Sequence, residues 1–302
     1  MKEFIEAVSR KINARTDLIE RDILLHQILL DLSKTKFANE FAFKGGSCLM
    51  KYYLGYFRFS IDLDFTFINQ NIFSNLSKKE IRRRLSEKID EIGNIFEDIA
   101  ERRGLDFKCD KKNRRYVEFG GGNKFLTFKI WFNSRFIGET FIKIQINFIE
   151  KIIFPIKKVL LKSLLDESKE LQFLFPDIYD EYTTKVRFNV YDIREIFCEK
   201  IRAILTRNGI KERDFIDVYL ISKKFNIKYT DMRDKILEKT RFILKLYEKY
   251  RDNLKKNLRI FSIENFPFGS EDYLLLIKID KKEFYQFVEE FIVYLKEIGT
   301  IV

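Results

Sequence analysis

Residues 41–67 change period twice, and that change constrains the fold more than any other stretch of the chain. Phe41-Ala42-Phe43 is a short apolar run. Lys44-Gly45-Gly46-Ser47 follows, and Cys48 to Leu54 reads as a helix entered through a serine. Phe57 to Phe67 then alternates as a strand does and carries Asp62-Leu63-Asp64. The segment therefore predicts strand, turn, helix and strand in immediate succession.

Chemistry follows from that order. Two glycines let the backbone approach a phosphate closely. Ser47 suits the N-cap, and the free N–H groups behind it form an anion site. On a strand, Asp62 and Asp64 point to one side, about 7 Å apart along the chain, while Leu63 and Phe65 turn into the core. Paired carboxylates beside a phosphate cradle suit Mg²⁺, a hard ion that takes oxygen ligands and substrate phosphates. Alone, a Gly-Gly-Ser is ordinarily a turn and an Asp-x-Asp a solvated strand face. In this order the two reinforce each other.

The motif Gly-Ser, helix, Asp-x-Asp resembles that of the nucleotidyltransferase superfamily sharing the DNA polymerase β type of catalytic domain. The wording from Lys44-Gly45-Gly46-Ser47 to Arg58-Phe59-Ser60-Ile61-Asp62-Leu63-Asp64-Phe65 looks most like the AbiEii/AbiGii toxin branch, which includes the MenT-type toxins. A second block runs from Glu195 to Leu205 and includes Glu199-Lys200. With Arg207 and Arg213-Asp214-Phe215-Ile216-Asp217-Val218-Tyr219, it is similar to that branch's E-K-x-x-A-L…R…R-D-x-x-D-x-Y pattern.

The resemblance implies an α+β fold: a polymerase β-like nucleotidyltransferase domain with a mixed sheet and flanking helices, followed by a helical C-terminal domain. It implies transfer of a nucleoside monophosphate from an NTP, an RNA acceptor such as the 3′ end of tRNA, and a toxin–antitoxin pair linked to phage defence. On this reading Gly45, Gly46, Ser47 and Ser60 attend the nucleotide, and Asp62 and Asp64 hold one or two Mg²⁺ ions. Lys200 and one of the two aspartates Asp214 and Asp217 serve catalysis. Arg213 is assigned to the nucleotide, or else pairs with Asp217 four residues on. The same site could instead act on a protein or small-molecule hydroxyl, or bind nucleotide without turnover.

Net charge is +11, which favours an anionic partner without specifying it. Basic residues gather at Lys78-Lys79 with Arg82-Arg83-Arg84, at Lys108 to Arg115, and at Lys249 to Arg259 among Tyr247 and Tyr250. Each cluster could meet phosphates, with tyrosines stacking on unpaired bases, or be a solvated face. Three cysteines without a C-x-x-C pair argue against a zinc site and fit a reducing cytoplasm. No apolar run is long enough for a membrane span. The single histidine, His26, lies in an apolar helical stretch and reads as packing.

Along the chain, residues 1–35 read as two helices and 77–103 as one long helix. From 105 to 148 the period is two, with a hairpin turn at Gly120-Gly121-Gly122-Asn123. On the strand Phe141–Ile149 the polar side offers Lys143, Gln145 and Asn147 and lacks a third carboxylate. Lys143 is a candidate phosphate contact. Pro155 and Pro176 bracket a segment read as a connection. The expected division is 1–155, a catalytic domain with N-terminal helices, then 156–190, a connecting segment, then 191–302. The last is helical, over 192–207, 211–224, 229–258 and 281–298, and contributes to the active site.

Overall fold

The computed structural model describes residues 1–73 and 76–302. The chain divides into two compact units: Met1–Glu150 with Ile156–Val190, and Lys151–Pro155 with Tyr191–Val302.

The first unit opens with α1 (Lys2–Ile12), α2 (Thr16–Leu32) and α3 (Phe37–Glu40), then β1 (Phe41–Lys44). A short helix, α4 (Gly45–Cys48), passes directly into a π-helical turn, Leu49–Tyr53, and β2 spans Asp62–Phe67. Helix α5 (Lys78–Arg103) has clear ends. Ser77 accepts from the Glu80 amide at its start, and Gly104 takes the left-handed conformation at its end. Leu85, Ile89, Ile92, Phe96 and Ile99 form its buried stripe. Strands β3 (Val117–Gly120), β4 (Phe125–Ser134) and β5 (Gly138–Asn147) follow. The turn between β3 and β4 places Gly121, Gly122 and Asn123 at positive φ, which glycine and asparagine tolerate.

Residues 156–190 do not form a connector. They carry β6 (Lys157–Leu161), α6 (Lys169–Leu174), α7 (Pro176–Thr183) and β7 (Val186–Val190), and they lie in the first unit. Pro176 starts a helix there rather than marking a linker. The result is one seven-stranded sheet in the order β3-β4-β5-β2-β1-β7-β6. Strands β2 and β5 pair in parallel, as do β1 and β7; the remaining pairs are antiparallel. Strand β2, with the aspartates, therefore lies at the sheet's centre.

One side of the sheet is apolar. Phe65 and Phe43 join Phe37, Phe96 and Phe188 in an aromatic core, with Phe37 stacked on Phe41 at 4.2 Å. His26 is wholly buried, edge-on to Tyr182, with Nε2 bonded to the Thr184 carbonyl. Burial and then Lys51 push its pKa down to about 4, so it is neutral packing, as its apolar surroundings in the sequence indicate.

The second unit is helical: α8 (Ile193–Thr206), α9 (Glu212–Phe225), α10 (Arg233–Leu246), α11 (Glu248–Ile260) and α12 (Lys281–Ile301). The helix expected over 229–258 is two helices, broken where Tyr247 turns extended at φ −138°, ψ 110°. Two asparagines of α11 finish α8. Asn253 donates to the Thr206 carbonyl, and Asn257 donates to those of Ile204, Leu205 and Arg207. Among the described residues, no helix is long and apolar enough to cross a membrane.

Candidate active site

In the first unit the turn after β1 is shaped by what packs against it. Lys44 ends the strand extended, and Gly45 takes φ +73°. A Cβ at Gly45 would overlap the Asp64 carboxylate, and one at Gly46 would overlap the Arg58 guanidinium and stand 3.1 Å from Ser60 Oγ. Gly45 is thus required by the approach of the Asp64 carboxylate and by its left-handed backbone, while Gly46 leaves room for Arg58 and Ser60.

Ser47 does not cap the helix. The N-cap is Lys44, so Ser47 falls inside the first turn, fully buried, and its hydroxyl donates 2.5 Å to the Asp62 carbonyl. That bond fastens the turn to β2.

Asp62 and Asp64 are half-buried on one side of β2, while Leu63 and Phe65 are fully buried on the other. In the β2–β5 register Asp62 stands beside Lys143 and Asp64 beside Gln145; across β1, Asp64 stands beside Lys44. The structure therefore brings Gly45, Gly46, Ser47, Ser60, Asp62, Asp64 and Lys143 together. Among the described residues, no group of three or more His, Cys, Asp or Glu side chains is placed to hold a metal ion. The two carboxylates of Asp62 and Asp64 are hard oxygen donors on one side of β2, with Gly45 packed against that of Asp64.

Three further groups stand around this pair: Arg21 and Glu150, which no motif marks, and Arg58, which heads the Arg58–Phe65 block without a role being read for it. Arg21 of α2 donates to the Phe141 carbonyl at 2.7 Å and to Thr140 Oγ1 at 3.2 Å. Burial lowers its pKa, with Asp62 the leading charge opposing that shift. Arg58 is buried and donates to the Phe59 carbonyl at 2.8 Å. Glu150, buried just past the end of β5, lies 3.7 Å from Lys44 Nζ and accepts from Asn147 at 3.2 Å. The polar side of β5 itself is Lys143, Gln145 and Asn147, as its alternation predicts. The acidic residue comes one turn of chain later and meets Lys44.

The second unit gathers the other charged motif. Lys200 Nζ on α8 lies 2.7 Å from Asp214 Oδ1 and 2.6 Å from Asp217 Oδ2 on α9. Arg207 reaches Asp214 Oδ2 at 2.9 Å. Burial opposes the charged form of Asp214, but Lys200 and then Arg207 outweigh it and hold the carboxyl well below the usual carboxylate range. The three-residue spacing of the aspartates does put both on one face. Arg213 does not pair with Asp217; its guanidinium lies 3.7 Å from Glu271. Glu195, in the same block, is structural. It accepts from the Ile153 and Phe154 amides and pairs with the buried Lys239 at 2.5 Å.

The basic clusters of the sequence differ in kind. Arg83 and Arg84 are met by Glu80, and Arg83 also by Glu87, all on α5. Lys111 pairs with Asp90. Acids nearby thus meet part of each of these two clusters.

A family model described as the nucleotidyl transferase AbiEii toxin, type IV TA system, matches residues 27–294. Among solved structures, the chain is similar to MenT4, a nucleotidyltransferase toxin from Mycobacterium tuberculosis H37Rv, with a TM-score of 0.57 and 17% identity. That similarity covers 99% of this chain and 90% of MenT4, and at such identity it speaks to the fold alone. No curated protein matches the chain.

Proposed function

Because the chain belongs to the AbiEii nucleotidyltransferase toxin family of type IV toxin–antitoxin systems, we propose that it transfers a nucleoside monophosphate from an NTP to the 3′ end of an RNA, tRNA in particular, and so blocks translation. The observation that carries the reading is the fit of Gly45 against the Asp64 carboxylate. A phosphate-binding turn and an acidic pair built into each other have little use separately.

Asp62 and Asp64 are the residues that would hold Mg²⁺, with triphosphate oxygens and water completing the shell; two carboxylates without a third favour one firmly held ion. When bound, that ion supplies positive charge to the phosphates. The backbone of Gly45, Gly46 and Ser47 holds the triphosphate, Ser60 hydrogen-bonds within the site, and Lys143 contacts a phosphate. In the second unit, Lys200 balances the charge of departing pyrophosphate. Asp214 or Asp217 orients the acceptor hydroxyl or takes its proton, and Arg213 serves the nucleotide. Alignment and electrostatics then account for most of the rate. The partners are NTP, RNA and a cognate antitoxin protein, and the setting is the cytoplasm.

The test is incubation of the protein with each labelled NTP and total RNA in Mg²⁺. Label on RNA, lost in the Asp62→Ala, Asp64→Ala double variant, is the expected result. No transfer with any of the four nucleotides overturns the reading, and label that persists in protein after RNase treatment moves the acceptor to a protein hydroxyl.

A further inference from the structure

We propose that the outer side of strands β4 and β5 is a stacking platform for the unpaired end of the acceptor RNA, built around Trp131 and Phe141. This rests on the nucleotidyltransferase reading and says where its acceptor lies. The registers align the surface with the acidic pair. Asp62 stands beside Lys143, and Lys143 beside Lys129, in one row across β2, β5 and β4. Two residues along, Phe141 stands beside Trp131. By period two all five side chains share a side of the sheet, and Phe141 lies roughly 8 Å from Asp62 in backbone terms, one strand over and two residues along.

The aromatic pair is fixed. The two rings are 4.7 Å apart, tilted by 50°. Trp131 Nε1 donates to the Arg115 carbonyl, and the Phe141 carbonyl accepts from Arg21. The Arg115 guanidinium lies 4.1 Å over the Trp131 ring and is itself held by Glu139 and Asp106. Lys129 and Lys143 place their ammonium groups 5.6 and 5.8 Å from the Phe141 ring centre. Rings, guanidinium plane and lysines remain half-buried while the alternate residues Ile130, Ile142 and Ile144 are fully buried.

Flat π surfaces flanked by cations suit a single strand: bases stack on the rings or the guanidinium, and phosphates meet the lysines. A duplex hides its base faces and cannot use them. A protein partner needs far more apolar area than two half-buried rings offer. The platform leads from a strand's terminal nucleotides toward Asp62, where the proposed transfer takes place.

Trp131 is the chain's single tryptophan, so its fluorescence reports on this surface alone. The full chain, with EDTA present to stop chemistry, is titrated with a short unstructured oligoribonucleotide. We expect saturable quenching. Phe141→Leu should raise the dissociation constant, read by anisotropy of a fluorescein-labelled copy, by about 5- to 150-fold, with the melting temperature unchanged. Phe141→Tyr, which keeps the ring, should bind as the parent does. Lys129→Gln should flatten the salt dependence by roughly 0.7 in log–log slope. Binding without quenching, equal quenching by NTP alone, or unchanged affinity in Phe141→Leu overturns the proposal. Asp62→Asn separates it from the reading above: that variant should bind the oligonucleotide normally while transferring no label. If the parent transfers label but Trp131 never responds, the platform fails and the activity stands.

Discussion

Replacing Gly45 by alanine should damage the site out of proportion to the stability it costs, and Gly55 supplies the control. Both glycines are left-handed, Gly45 at φ +73° and Gly55 at φ +80°. Around Gly55 a Cβ would meet nothing within 4 Å, whereas at Gly45 it would overlap the Asp64 carboxylate. Alanine in the left-handed region costs about 1–2 kcal/mol at either position, a fall in melting temperature of roughly 2–8 °C for a unit of this size. Only Gly45→Ala must also displace Asp64 or the turn, by something near 1 Å. A misplacement of that size at a reacting centre costs about 100-fold in rate. Label transfer to RNA, measured with calorimetry on both variants, separates the two effects. If Gly45→Ala retains transfer within about threefold of Gly55→Ala, far short of that loss, the turn and the acidic pair do not work as one unit.

Two further predictions concern stability. His26 has a folded pKa of about 4 against roughly 6.5 unfolded. The unfolded chain therefore binds more protons between those values, and stability is full above pH 6.5 and falls as pH drops toward 4, by about 2 kcal/mol at pH 5. As His26 is the only histidine, urea melts between pH 7 and pH 5 should lose most of this slope in His26→Gln, and an identical slope in that variant refutes the assignment. The second concerns Lys51 and Asp22, both wholly buried and 2.9 Å apart, with Tyr182 donating to Asp22 at 2.6 Å. Asp22→Ala leaves a buried ammonium uncompensated and should cost about 3–5 kcal/mol, while Asp22→Ala with Lys51→Met should recover much of it; strictly additive losses across that double-mutant cycle would count against a coupled pair.

The elements that could be read from the sequence are those whose cause is local. Helix α5 carries its own cap, stripe and terminal glycine within the single stretch from Ser77 to Gly104, and the β3–β4 hairpin announces itself by three positions that tolerate positive φ. The elements misread are those whose cause is distant. Strand β7 pairs along its length with β6 across two intervening helices and joins the sheet where Val190 stands beside Phe43, partners that no window around residue 190 contains, so Pro155 and Pro176 look like the limits of a linker. The 229–258 stretch has helical composition throughout, and what breaks it is one extended residue, Tyr247, with no proline or glycine to mark it.

The site divides in the same way. Asp62, Asp64, Gly45 and Gly46 are legible because their spacing dictates their geometry: period two sets the aspartates' side, and glycine pairs mark close approach. Ser47 differs from the N-cap its sequence position suggests. A left-handed Gly45 starts the helix earlier than a serine cap would, which turns the hydroxyl inward to the Asp62 carbonyl. The groups that surround the pair arrive from elsewhere. Arg21 comes from α2 and is held by the first residues of β5, and Glu150 lies past a strand end where alternation no longer predicts direction. The same holds for Lys200, whose position on α8 reads equally as a snorkelling surface lysine until α9 brings Asp214 and Asp217 to it. Spacing along one element reveals which residues can act together. What holds them in place is decided by the packing between elements, and that is visible only once the registers and contacts are known.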